Sequence, residues 1–412
     1  MRVEFTINGN SAPSARYLTW TPSPLRLRLL DAPPLPLSAS VTLSEQVKPG
    51  GGSLRFSSTE TGPQRGTLKV ALPANGQSVT VWVAGRYGKA SRENGDVSIV
   101  ATHAQSGLLG KLPVMVRVRK DANTLTPAER DRFLAALAKL NDRGAGRFVD
   151  FRNMHVSGLP DAQAHGGPGF LPWHRAYLLD LERELQAIDP TVALPYWRFD
   201  RRAANLFTPD FIGNADADGF VNFSPSNPLN MWATDGQIGV VRLIGDTNPA
   251  LRASQFVYDE DTTMTLGSNY SGFRDMEYNP HGAAHTQYFG GSISSISTAA
   301  KDPLFFLLHC NVDRLWARWQ RLNNRFDANA VPAYDNGPTP TSHLAGHNLN
   351  DSLWPWNGIV AAPRPATAPG GDLARSPCVA APGPKPLVRD MIDFQGSRMR
   401  AASLGFAYDN VN

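Results

Sequence analysis

Two periodicities divide the chain. Up to about residue 118, apolar side chains come in short runs separated by Gly, Pro and Asn, at 3–7, 25–30, 66–72, 78–83, 97–101 and 113–118. Thr80-Val81-Trp82-Val83 and Val114-Met115-Val116-Arg117-Val118 are rich in β-branched residues and alternate in places. Alternation sends successive side chains to opposite faces of a strand, and closely spaced turn residues keep the strands short. Residues 1–118 are therefore expected to form an all-β sandwich or barrel. Beyond them the period becomes helical. Thr126-Pro127-Ala128-Glu129 has the form of a capping box with Pro in the first turn, and Phe133, Leu134, Leu137 and Leu140 follow at helical spacing. A second helix is expected over 173–188, ended before Pro190, and a third from Asp302-Pro303 to about 322. Loops rich in Gly, Asn and Pro lie between them, notably 201–275, and 324–412 reads as mostly irregular. Residues 119–412 thus form a second, mainly helical domain.

Composition narrows the function classes. Of 412 residues, 42% are hydrophobic and 18% charged, which is a globular chain. The net charge of +4, without a Lys/Arg block, gives no footprint for nucleic acid. Two cysteines, Cys310 and Cys378, cannot make a disulfide framework and fit a reducing compartment. No secretory signal and no membrane-spanning apolar run is read, so a cytoplasmic protein without membrane contact is expected.

The nine histidines are distributed unevenly. His155, His165 and His174 surround the start of the second helix, and His281, His285 and His309 end inside the third. A spacing of four puts His281 and His285 on one helical face, where both can reach one metal. His309 lies in an apolar stretch, and a buried imidazole needs a partner or loses its charge. Two all-imidazole triads suit Cu, Zn, Fe or Ni and not Mg or Ca. Three protein ligands leave a position open for reaction. Each histidine alone has the competing reading of a satisfied core residue; the conjunction favours metal. His343 and His347 repeat the four-residue spacing in a loop without a third partner, and neither they nor His103 is given a role.

The segments His155…His165-Gly-Gly-Pro-Gly-Phe-Leu-Pro-Trp-His174-Arg175, Glu277-Tyr-Asn-Pro-His281-Gly-Ala-Ala-His285 and Asp302-Pro-Leu-Phe-Phe-Leu-Leu-His309-Cys-Asn-Val-Asp313-Arg314-Leu-Trp316 resemble the two copper motifs of tyrosinases and catechol oxidases. These polyphenol oxidases are type 3 copper proteins, as are molluscan haemocyanins. The resemblance covers roughly 119–412. It implies a four-helix bundle with a dinuclear copper centre, His155, His165 and His174 holding the first ion and His281, His285 and His309 the second. It implies O₂ as co-substrate and a small phenolic substrate, an o-diphenol oxidised to an o-quinone, with monophenol hydroxylation in tyrosinases.

The resemblance also implies roles for other residues. Asp313, one turn after His309, would orient a ligand imidazole, a helix salt bridge being the competing reading. Glu277 matches an acid that holds a water near the substrate, and Phe305 the bulky gate over the coppers, against a plain core Phe. Arg119 and Phe406-Ala407-Tyr408 match an Arg stacked on a Tyr-x-Tyr motif, with Phe406 in place of the first tyrosine. Many tyrosinases carry Asn where this chain has Gly282, which cannot polarise that water, so diphenol oxidation is favoured over monophenol hydroxylation. Gln163-Ala164 before His165 offers no cysteine for a thioether, and Cys310 is expected as a buried free thiol. With four residues following Tyr408, the resemblance leads to the expectation that the C-terminal lid domain of many relatives is absent. Residues 1–118 are accordingly read either as a lid over the copper site or as a docking and stability module. Three functions stay open: an o-diphenol oxidase, a tailoring oxidase acting on a phenol or o-aminophenol within a larger metabolite or peptide, and a haemocyanin-like O₂ carrier. A copper-delivery protein is a further partner the sequence leaves open.

Overall fold

The structure, a computed structural model, describes residues 1–32, 37–156, 164–335, 346–360 and 371–412. The N-terminal part consists of β1 (Arg2–Ile7), β2 (Tyr17–Leu18), β3 (Ser23–Leu30), β4 (Ser38–Val47), β5 (Leu54–Ser57), β6 (Leu68–Pro73), β7 (Val79–Gly85), β8 (Val97–His103) and β9 (Gly107–Val116). They form a four-stranded sheet, β1-β3-β7-β5, and a five-stranded sheet, β2-β9-β8-β4-β6. In β3, Leu25, Leu27 and Leu29 point inward between exposed or half-buried neighbours, so the register with β7 is fixed by which face is apolar. These leucines share one core with Val41, Leu43, Val83, Ile99 and Val114 of both sheets. Strand β4, absent from the sequence expectation, carries the same alternation with only Ala39, Val41 and Leu43 turned inward.

The helical part is organised around three long helices: α1 (Pro127–Asn141), α3 (Phe170–Ile188) and α8 (Leu304–Asn323). Between them lie the short helices α2 (Phe148–Met154), α4 (Glu260–Met264), α5 (Tyr270–Phe273), α6 (Ala283–Gln287) and α7 (Ile296–Ala299). The capping box of α1 is present: the Thr126 hydroxyl accepts the Glu129 N–H at 3.3 Å and the Glu129 carboxylate accepts the Thr126 N–H at 3.0 Å. Asp302 caps α8 by accepting the Leu304 N–H at 2.8 Å while pairing with buried Arg242 at 2.5 Å. Helix α3 starts three residues before its expected beginning, at Phe170. Helices α3 and α8 pack on each other and α1 packs on α3. The fourth side is not one continuous helix: residues 274–287 run through a 3₁₀ turn, a π turn and α6, with Asn279 non-helical inside. The long segment 201–275 contains small hairpins, such as Asn214–Ala215 with Val221–Asn222, instead of unbroken loop.

The two parts meet where Arg119 lies beside Tyr408, its N–H donating to the Ala407 carbonyl at 2.8 Å. Trp20 donates its indole N–H to the Tyr408 carbonyl at 2.8 Å, and Arg132 reaches the Arg92 carbonyl at 2.6 Å. Among the described residues, the hydrogen bonds and ion pairs from 1–118 to the rest run to 120–132, 190 and 378–408, and none reaches a triad histidine. The described contacts of the β domain thus fall at the start of the helical part and on the closing segment of the chain. Nor is any described helix long and apolar enough to cross a membrane.

Candidate metal centre

The six histidines come from different elements and converge. His155 follows α2, His174 lies on α3, His281 in the π turn, His285 on α6 and His309 on α8. Within each triad, His155/His165/His174 and His281/His285/His309, the candidate ligand nitrogens lie within 4.8 Å of one another. The packing of α3 on α8 stacks His174 on His309, centroids 4.2 Å apart and 14° from parallel, which sets the two triads side by side.

Four of the six tautomers are fixed from outside. Nδ1 of His155, His174, His281 and His285 faces the carbonyls of Ile296, Phe170, Glu277 and Ile293 at 3.2, 2.9, 2.7 and 2.7 Å. A carbonyl accepts only, so each Nδ1 carries the proton and each Nε2 is left with a lone pair. The Nε2 atoms converge: those of His155 and His165 are 3.2 Å apart, and that of His309 is 3.2 Å from that of His281 and 3.1 Å from that of His285. The His174 Nε2 is buried and meets no protein partner among the described residues. Ring nitrogens about 3 Å apart, three to a cluster, suit ligands held at roughly 2 Å from a shared ion. Burial, aided by neighbouring imidazoles, holds His155, His174, His281 and His309 well below the usual imidazole range. Burial likewise brings His285 down to about 4. Neutral imidazole is the ligating form, so the donor set fits two cations.

Phe305 is fully buried, with its ring 4.2 Å from that of His309, 4.7 Å from His155 and 5.9 Å from His285. It spans both triads. The Glu277 carboxylate accepts the Gly166 N–H at 2.7 Å, so this residue touches the first triad's loop through its side chain and the second triad through its carbonyl. Gly282 is half-buried, and a Cβ there would meet only the Glu277 carbonyl, at 3.4 Å.

Asp313 is corrected. Its carboxylate reaches no imidazole among the described residues; it accepts from Arg175 Nε at 2.5 Å, Arg119 Nη1 at 3.0 Å and the Tyr408 hydroxyl at 2.5 Å. Two fully buried guanidinium groups claim it, because a buried cation without a counter-charge is more costly than an imidazole without an orienting partner. The expected stacking is present: Arg119 Cζ lies 3.8 Å from the Phe406 ring centre and 5.5 Å from that of Tyr408. Arg175 stacks on Trp316 at 3.6 Å, and Glu182 pairs with Arg119 at 2.7 Å; neither contact was expected from the sequence. Cys310 is free and buried, its thiol pushed up to about 12 by burial. His103 accepts the Ser106 N–H at a strand end, 3.3 Å away. His343 and Gln163 lie outside the described residues. His347, given no role above, is buried at 4% exposure against the loop between His165 and His174.

Residues 145–322 match the family described as the common central domain of tyrosinase. A tyrosinase from Streptomyces glaucescens is 36% identical over 273 residues, covering 60% of this chain and 94% of that protein. Grixazone synthase from Streptomyces griseus is 32% identical, covering 59% of this chain and 94% of its own length. A mutant polyphenol oxidase from Thermothelomyces thermophila superposes with a TM-score of 0.49 at 18% identity, over 71% of this chain and 88% of that one.

Proposed function

This chain belongs to the tyrosinase family of type 3 copper proteins and is a copper oxidase, and from that premise we propose that it uses O₂ to oxidise o-diphenols to o-quinones at two copper ions, one in each histidine triad. The observation that carries this reading is the pairing of two all-imidazole triads in van der Waals contact through His174 and His309. Bound there, the copper pair would supply the redox chemistry by which two catechols lose four electrons and four protons while one O₂ becomes two waters. His155, His165 and His174 hold the first ion, and His281, His285 and His309 the second. Carbonyls on Nδ1 keep the rings of His155, His174, His281 and His285 aimed and their protons away from the metal face. Phe305 closes the buried side of the pair against water. The substrate approaches from the side of Gly166 and Gly282, where, among the described residues, an added Cβ meets nothing within 4 Å at the first and only the Glu277 carbonyl at 3.4 Å at the second. Glu277 is the carboxylate on that side, placed to take a phenolic proton directly or through a water.

The same free space favours a second reading, in which the phenol or o-aminophenol is part of a larger metabolite whose remainder lies outside the site. Copper content combined with O₂ uptake separates the two. Two coppers per chain and steady uptake on catechol, with little on a monophenol, is the expected result. Uptake on an o-aminophenol but not on catechol selects the second reading. Failure to bind two coppers overturns both.

A further inference from the structure

We propose that His347 is a positioning residue for the first copper, bracing the turn at 166–169 that joins His165 to the helix carrying His174; this rests on the copper reading above. Three of those four residues are glycines, which leaves the turn with more conformational freedom than a ligand loop can use. Only Gly166 has a positive φ, +70°. Gly167 and Gly169 are small for another reason. A Cβ on Gly167 would lie 2.6 Å from the His347 ring, and one on Gly169 would lie 2.3 Å from the Gly346 carbonyl. The glycines let residues 346–347 press directly on the turn.

The contact is directional. The Gly169 N–H donates to His347 Nδ1 at 3.1 Å, at the residue that precedes the first turn of α3. His347 is in turn held rigidly: the Tyr334 hydroxyl donates to its carbonyl at 2.7 Å, and the Asp351 carboxylate accepts the N–H groups of Gly346, His347 and Asn348 at 3.1, 3.3 and 3.0 Å. The Tyr270 hydroxyl donates to the Pro168 carbonyl at 2.6 Å, and Glu277 holds the Gly166 N–H. The turn is thus fixed from several sides, with His347 supplying both the wall and the acceptor. Its imidazole serves as an anchor for backbone and not as a ligand.

The test compares His347→Ala with His347→Asn, which returns a side-chain acceptor near the Nδ1 position. Copper retention is followed against a graded chelator, with electron paramagnetic resonance to detect a single uncoupled Cu(II). Exchange of the Gly169 amide is measured on metal-free protein. The alanine variant is expected to release one copper at roughly 10–100-fold lower chelator concentration, as for other residues that support a ligand, while retaining the second. Its Gly169 amide should exchange faster, and asparagine should recover most of both effects. Wild-type retention of both coppers with unchanged exchange overturns the proposal, as does parallel loss of both coppers that asparagine does not repair. If the wild-type protein binds no copper pair, the copper reading fails by itself, and unchanged Gly169 exchange in the alanine variant then refutes the brace as well.

Discussion

An imidazole is committed to a metal by what its other nitrogen does. At His174 the Phe170 carbonyl holds Nδ1–H, leaving a buried Nε2 that no protein group among the described residues satisfies. His174→Ala should therefore remove the first copper and lower turnover on catechol by more than the roughly 10–100-fold typical of residues behind the ligands; elemental analysis showing two coppers would refute the ligand role. Gly282 makes a finer point. A side chain fits there without a clash, so Gly282→Asn should fold normally and add a polar group beside Glu277. If a positioned water limits phenol deprotonation, the ratio of monophenol to diphenol oxidation should rise by up to about tenfold, below the usual range for general-base catalysis. An unchanged ratio in paired assays would show that access governs the preference. The two histidine triads were legible in the sequence because their spacing and flanking motifs lie within short segments. His347 was not, because its partner Gly169 is 178 residues away and a four-residue histidine spacing says nothing about backbone acceptors. Asp313 was misread for the converse reason: helical geometry puts it on the face of His309, but Arg119 and Arg175 arrive from elsewhere in the chain to claim it.

At the level of elements, α3 and α8 carry both a ligand and the charges that lock them together. Arg175, next to His174, is fully buried, and Asp313 of α8 is the carboxylate it pairs with. Asp313→Ala should cost about 3–5 kcal/mol, because an uncompensated guanidinium stays in the core. Denaturant titration would read this loss, and a change under ~1 kcal/mol would argue against it. On α3, Asp180 is buried and accepts N–H groups from Trp356 and Ala374 at 2.8 Å each, yet burial still raises it to about 6. The raised folded value means that its favourable contribution is complete below the ordinary 3.8 and is lost as pH climbs through about 6. Asp180→Asn cannot ionise, so its stability relative to wild type should improve by on the order of 3 kcal/mol between pH 4 and pH 7. Parallel stability curves over that range would exclude the assignment. Sequence located these helices well because caps and periodicity are local. It could not foresee the interrupted segment 274–287, whose shape is set by delivering His281 and His285 to α8.

At the scale of the whole molecule, the question is what the β domain does for the dicopper part. Its core runs into that part through Val118 and Ala407, and Trp20, 6% exposed, is pinned to the Tyr408 carbonyl. Tyr408 in turn donates to Asp313 and stacks near Arg119, so the sandwich bears on the same buried charge cluster that ties α3 to α8. These contacts link the β domain to the charge cluster that joins α3 to α8. Were the domain a lid, loosening it would raise turnover; as a buttress, loosening it should lower stability and leave chemistry alone. Trp20→Ala tests the distinction while keeping the full chain. Loss of a large buried aromatic costs about 3–5 kcal/mol, partly offset here by solvent reaching the interface. The expected result is a lower melting temperature with kcat on catechol per bound copper pair little changed from wild type, since no described hydrogen bond of Trp20 reaches a histidine of either triad. A marked rise in kcat at unchanged melting temperature would support the lid. A fall in kcat at unchanged melting temperature would mean that the Tyr408–Asp313–Arg175 chain transmits position as well as stability to His174.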